Sequence, residues 1–263
     1  MTGLTALITG ASSGIGRELA RLFAADGHDL VLVARRANLL EDLAGDLRRQ
    51  FRITVRVWPE DLADHFAPRR IHQRAQAEGI VIDVLVNNAG FGALGPFADL
   101  PRDRQMAMID VNLRALTELT HLFLASMVRQ RRGRILNLAS MAAFQAGPYM
   151  AVYYATKAYV LSFSEALSAE LAGSGVSVTC LCPGLTPTEF QEVADMAGSR
   201  LAVMRGMSAT AVARAGYDAL MADRRLIVPG LKNKLGVFIV RFVPRGLAMA
   251  AVKWLQARRT AGQ

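Results

Sequence analysis

The chain has 263 residues, 52% of them apolar, enough to bury a substantial core in one large α/β domain or in two smaller ones. Its net charge of +9 invites a nucleic-acid reading, but nine of the 31 basic residues lie from Arg224 onward, where no Asp or Glu occurs, and positions 1–223 balance at 22 basic against 22 acidic. That distribution disfavours a general nucleic-acid binder, and no nucleic-acid partner is expected; the basic tail is a separate question. Two cysteines, Cys180 and Cys182, make no disulfide framework and suit a reducing, cytoplasmic compartment. With one residue between them they are read as core side chains on opposite faces of a strand, without a metal or redox role. The opening run MTGLTALITG enters strand-like sequence at once and has no signal-peptide pattern, so export is not expected.

Apolar runs at Leu4–Thr9, Leu30–Ala34, Ile53–Val57, Ile82–Val86, Arg134–Ala139 and Val176–Leu181 are expected to form buried strands, with amphipathic helical stretches between them. Strand then helix, repeated, predicts a doubly wound parallel sheet with helices on both faces, a three-layer α/β fold of the Rossmann type. A helix is expected from about Val152 to Leu171, stopped by Gly173-Ser174-Gly175. After Pro183-Gly184 the pattern loosens through Arg205, where mobility is expected, and a short strand near Leu226–Val228 ends at Pro229-Gly230. No repeat or low-complexity linker divides the chain.

Directly after the first strand comes Thr9-Gly10-Ala11-Ser12-Ser13-Gly14-Ile15-Gly16, leading into a helical run. Glycines there permit a tight turn and let the backbone approach a pyrophosphate, whose charge sits at a helix N-terminus. The G-x-x-x-G-x-G spacing resembles that of the short-chain dehydrogenase/reductase family, and the resemblance extends over nearly the whole chain. It implies that residues 1–263 form a single dinucleotide-binding and catalytic domain, with a basic, apolar C-terminal segment at about 229–263. About twenty residues past the glycines, where an acidic residue would bind the ribose 2′-hydroxyl of NAD, stand Arg35 and Arg36. An arginine pairs bidentately with a 2′-phosphate, so NADP is the expected cofactor. Ser13 departs from the many NADP-using relatives that carry a second basic residue there.

Further marks of the family follow in order. Asp61-Leu62 resembles the pair that meets adenine in relatives, and Asn88, in Asn87-Asn88-Ala89-Gly90, the residue that shapes the neighbouring sheet edge. Asn112, Ser140, Tyr153 and Lys157 match the family's Asn-Ser-Tyr-Lys set. Tyr153 and Lys157 stand one helical turn apart on one face; Tyr154, the rival phenol, would have Ala158 as its partner. Reduction of a carbonyl needs a proton donor, which Tyr153 supplies. As a base in the reverse direction a phenol of ordinary pKa costs on the order of 4 kcal/mol at neutral pH, which Lys157 as ammonium, aided by oxidised nicotinamide, is expected to reduce by lowering that pKa. The resemblance implies that Ser140 holds the substrate oxygen, that Asn112 holds a water linking Lys157 to solvent, and that Lys157 reaches the nicotinamide ribose. It also matches Pro183, Gly184 and Thr188 to a stretch whose last Thr meets the nicotinamide carboxamide.

The expected activity is hydride transfer between NADP(H) and a small-molecule carbonyl or alcohol substrate. Phe91, Leu94, Met141, Phe144, Met196, Met204 and Met207 are expected to wall an apolar pocket for a lipophilic one. The alternatives are a non-catalytic NADP-binding sensor, or a dehydratase or epimerase on the same fold. His28, His65, His72 and His121 are scattered, and no metal site is expected. The family resemblance implies a homo-oligomer, dimer or tetramer, formed through the helix of Tyr153. The C-terminal segment is expected either to make peripheral contact with the inner membrane surface or to pack over the pocket or a neighbouring subunit. In the membrane reading, Arg245, Lys253, Gln256 and Arg259 lie opposite an apolar face of Leu247, Ala251 and Leu255.

Overall fold

The structure is a computed structural model and describes residues 3–196 and 198–257. Seven parallel strands form one sheet, β1 (Thr5–Thr9), β2 (Asp29–Ala34), β3 (Val55–Pro59), β4 (Val84–Asn87), β5 (Gly133–Leu138), β6 (Val176–Leu181) and β7 (Leu226–Ile227). Their order is β3-β2-β1-β4-β5-β6-β7, so the winding reverses between β1 and β4. In an open α/β sheet that reversal leaves a crevice at the C-terminal strand ends, where ligands bind.

The strands alternate with α1 (Gly14–Ala25), α2 (Ala37–Gln50), α3 (Ala67–Ala77), α4 (Arg102–Ile109), α5 (Leu116–Gln130) and α6 (Ala151–Glu170), followed by α7 (Phe190–Val193) and α8 (Ala209–Met221). Helices α1, α2 and α8 bury Leu19, Phe23, Leu43, Leu47 and Leu220 on one face of the sheet. On the other face α3, α5 and α6 bury Ile71, Leu119, Phe123 and Leu167. Both faces of β1 and β2 are covered, which is why these strands read as unbroken apolar runs. The three-layer fold is the one expected. Strand β3 starts two residues later than expected and runs on to Pro59, whose missing N–H is tolerated on an edge strand.

Two further helices, α9 (Leu231–Val240) and α10 (Arg245–Gln256), complete the C-terminal segment. Among the described residues, no helix is long and apolar enough to cross a membrane.

Candidate active site

The turn from β1 into α1 is built so that only glycine fits. Gly10 has φ +66°, and a Cβ on it would stand 2.7 Å from Asn88 Nδ2 and 2.9 Å from Ala89 Cα. A Cβ on Gly16 would run into the same amide nitrogen and into the Gly10 carbonyl. Asn88 causes this crowding: its Nδ2 donates to Thr9 O at 2.9 Å and Gly10 O at 3.1 Å, stitching the end of β4 to the glycine turn. Ser13 is the N-cap of α1 but makes no side-chain capping bond, and no acidic residue sits in the first turn. The N–H groups at that helix end are therefore left for an anion. Ser12, Ser13, Gly14 and Ile15 all line the cavity above.

At the end of β2, Arg35 is exposed, with no ion-pair partner among the described residues, and it lines the same cavity. Arg36 is engaged: it donates to Ser12 Oγ at 3.1 Å and pairs with Glu189 at 2.6 Å. Glu189 follows Thr188 in the stretch after β6, and no local pattern in the sequence marks it. That pair and a hydrogen bond with Ser13 hold the Glu189 carboxyl below its ordinary pKa. Thr188 lies over the glycine turn, its Cγ2 3.1 Å from where a Gly14 Cβ would stand. Asp61 Oδ1 accepts from Ala63 N at 3.0 Å, an Asx turn that fixes the loop after β3, and Leu62 beside it is buried.

The second cluster lies where β5 ends and α6 begins. Ser140 caps a 3₁₀ turn, Met141–Phe144, its Oγ accepting from Ala142 N at 3.1 Å. Tyr153 and Lys157 face the cavity from the first two turns of α6, just after Tyr149, whose φ of +67° is a left-handed strain at the helix entrance. Lys157 is 4% exposed; its Nζ donates to Leu138 O at 2.7 Å and lies 5.8 Å from the Tyr153 ring centre. Burial pushes this ammonium down to about 8 and the Tyr153 phenol up to about 12, the latter against a hydrogen bond with Ser140 that lowers it. Among the groups around Tyr153 it is Ser140 that draws the phenol down, and burial that sets the direction of the shift. Asn112 sits in a π-helical turn, Asp110–Ala115, between α4 and α5. Its amide accepts from Phe91 N and donates to Phe91 O, both at 3.0 Å, and donates to Thr156 Oγ1 at 3.1 Å. The side chain thereby clamps the loop segment after Gly90 to α6.

Cys180 and Cys182 lie with their sulfurs 3.7 Å apart, fully buried behind Lys157. This corrects the expectation of opposite faces, because residues two apart in an extended strand share a face. Among the described residues no three His, Cys, Asp or Glu side chains form a group that could hold a metal.

One cavity of about 830 Å³ joins these clusters, running from Arg35 and Arg36 past the glycine turn to Tyr153 and beyond. Phe91, Met141, Met196, Met204 and Met207 wall it as expected, whereas Leu94 is buried beside Met150 and Phe144 packs against a core cluster. Pro183 and Gly184 line it too, and the Asn233 amide of α9 packs within 2.7 Å of where a Gly184 Cβ would be, so a larger residue there would have to displace it. The Phe190 ring packs tilted at 50° against Tyr153, with the ring centres 5.2 Å apart. The roof comes from α10: Val252, Leu255 and Gln256 line the cavity, and Gln256 Nε2 donates to Tyr154 OH at 2.7 Å. The expected faces of this helix are therefore corrected. Gln256 is buried while Leu247 is exposed, since the polar side chain serves the cavity and not solvent; Arg259 lies outside the described residues.

The model of the short chain dehydrogenase family matches residues 4–197. A very-long-chain 3-oxoacyl-CoA reductase of Phaeosphaeria nodorum is 33% identical over 195 residues, 73% of this chain and 57% of that protein. The chain spans between 57% and 74% of the length of the curated relatives it matches. Among solved structures, a short-chain dehydrogenase from Sphingobium yanoikuyae in complex with NADPH is 31% identical, with a TM-score of 0.82 over 98% of this chain and 99% of that one. A short chain dehydrogenase/reductase from Burkholderia phymatum in complex with NAD is 26% identical, with a TM-score of 0.81 over 98% of each chain.

Proposed function

The chain belongs to the short-chain dehydrogenase family of NAD(P)-dependent oxidoreductases, and on that premise we propose that it is an NADP-dependent enzyme acting on a lipophilic carbonyl or the corresponding alcohol. The observation that carries this reading is a single cavity with two unlike ends. Two arginines and an uncapped helix terminus stand at one end, half-buried Tyr153 and buried Lys157 at the other.

The residues present fit the cofactor. The glycine turn and the α1 N-terminus suit a pyrophosphate, and Arg35, in no ion pair among the described residues, suits a 2′-phosphate. Asp61 and Leu62 lie toward the adenine end, Asn88 holds the turn in shape, and Pro183, Gly184 and Thr188 border the nicotinamide end. Bound there, the nicotinamide supplies or accepts the hydride.

The chain's own part is proton transfer and positioning. With its pKa pushed up to about 12, the Tyr153 phenol keeps its proton at neutral pH and can give it to a carbonyl oxygen becoming an alkoxide. Ser140 hydrogen-bonds that oxygen and sets its distance from Tyr153. Lys157 carries positive charge below about pH 8 and steadies the phenolate left behind. Asn112 fixes α6 against the Phe91 backbone, which keeps Lys157 in place.

Methionines on the cavity wall support a lipophilic, shape-tolerant substrate class, and an acyl-chain ketone is consistent with the reductase of Phaeosphaeria nodorum. We read residues 1–263 as one catalytic domain in a homo-oligomer. The exposed side of α6, with Ala151, Ala155 and Ala158, is flat enough for a second copy's helix. The C-terminal segment adds a peripheral contact at an anionic membrane surface. A panel of ketones and alcohols with NADPH, NADP, NADH and NAD tests the enzymatic reading. Net oxidation or reduction of cofactor supports it; product formation without cofactor turnover assigns a dehydratase or epimerase instead, and cofactor binding with no turnover on any member assigns a sensor.

A further inference from the structure

We propose that α9 docks this protein on an anionic lipid surface through a stripe of its own, with the mouth of the cavity at the lipid. The helix has two unlike sides. Val237 is buried against the core, Asn233 donates to Pro229 O at 2.7 Å, and Gly236 lies against Met141. At positions spaced i, i+4, i+7 and i+11 on the opposite side stand Leu231, Leu235, Phe238 and, just past the helix end, Phe242, which are 82%, 57%, 58% and 73% exposed. Single apolar residues on a surface mean little; four in one stripe, with Phe238 and Phe242 in edge contact at 5.0 Å, form a continuous apolar ridge.

Charge selects the occupant. By helical rotation Lys232 falls on one flank of the ridge and Lys234 and Arg241 on the other; all three are exposed and without an ion-pair partner among the described residues. No Asp or Glu occurs anywhere from Arg224 to the end of the sequence. A second copy docked face to face would set these cations against themselves with no carboxylate to pair them. Apolar and aromatic side chains flanked by Lys and Arg are what an interfacial helix presents to anionic headgroups, and ten residues are too few to cross. Leu231 and Lys232 also line the cavity, so docking would bring its opening to the lipid, where a lipophilic substrate is concentrated. That last consequence rests on the proposed activity; the docking does not.

Co-sedimentation of the full-length protein with vesicles of phosphatidylcholine alone, and of phosphatidylcholine with phosphatidylglycerol, tests the proposal without any substrate. The expected result is binding to the anionic vesicles that weakens with added salt. Phe238→Asp/Phe242→Asp and Lys232→Glu/Lys234→Glu, all on exposed side chains, should each weaken it at least about tenfold at an unchanged melting temperature. Protein that stays in the supernatant, or binds neutral and anionic vesicles alike, overturns it. So does a fall in oligomer size on gel filtration of the Phe238→Asp/Phe242→Asp variant without any vesicle binding by the parent, which makes the ridge a subunit interface. An inactive protein that sediments, or an active one that does not, separates this proposal from the enzymatic reading.

Discussion

Arg36 pairs with Glu189 at 2.6 Å while donating to Ser12 at 3.1 Å, so one guanidinium ties three segments together. The end of β2, the glycine turn and the stretch after β6 meet there, although Arg36 and Glu189 are 153 residues apart. A carboxylate thus stands beside one of the two arginines at the end of β2, where a 2′-phosphate would compete with it for Arg36.

Replacing that carboxylate should therefore favour the phosphorylated cofactor. Glu189→Gln is expected to lower the KM for NADPH and leave that for NADH nearly unchanged. Both side chains are 45% exposed, so the pair is worth under about 1 kcal/mol and the gain should stay within about fivefold. Steady-state kinetics with both cofactors measures it; an equal change for both would show that Glu189 positions the stretch after β6 and does not compete.

Arg35 makes no ion pair among the described residues, and the two arginines share the end of β2. Arg35→Asp/Arg36→Asp should shift the ratio of kcat/KM for NADPH over NADH toward NADH by at least about a hundredfold, since charge-assisted contacts are lost and repulsion is added. A ratio that stays put in the double variant would mean that the end of β2 does not meet a 2′-phosphate.

The fold was legible because its signals are local and periodic. Buried strands such as Leu30–Ala34 read as apolar runs, and Gly10, Gly14 and Gly16 mark a turn whose backbone tolerates nothing larger. The spacing of Tyr153 and Lys157 is likewise a property of one helix. What stayed hidden depends on distant partners. Glu189 carries no local mark of its contact with Arg36, and Asn112 gives no hint of the Phe91 backbone it clamps. The C-terminal helix misled because its inner side faces a cavity, so that buried Gln256 looks like a surface residue. The two cysteines were misread through strand period alone.

Tyr153→Phe should abolish turnover, by at least about a thousandfold, while NADPH binding, followed by its fluorescence, changes little. The ring keeps its packing on Phe190 at 5.2 Å, and only the hydroxyl that gives the proton is lost. Tyr154→Phe is the control, because that hydroxyl is held by Gln256 on the cavity roof. If Tyr154→Phe proves the inactive variant and Tyr153→Phe the active one, the acid/base assignment moves to Tyr154.

Lys157 should cost the fold stability at neutral pH. Its ammonium is buried, and its pKa falls from 10.5 to about 8 on folding. Between those two values the unfolded chain keeps a proton that the folded chain gives up, so the folded state gains stability as pH rises through that window. Below about pH 8 both states are charged and the full penalty stands, on the order of 3 kcal/mol from a shift of this size. Lys157→Met removes the charge but also the bond to the Leu138 carbonyl, and the orphaned acceptor gives back roughly 1–3 kcal/mol. The variant should therefore be inactive yet at least as stable as the parent at neutral pH, and it should lose that standing relative to the parent as pH climbs from about 8 toward 10.5. Urea unfolding of both proteins across this range measures the difference. A gap between them that does not move with pH would mean that Lys157 is not held below its ordinary pKa, and its charge would then be maintained well into the alkaline range.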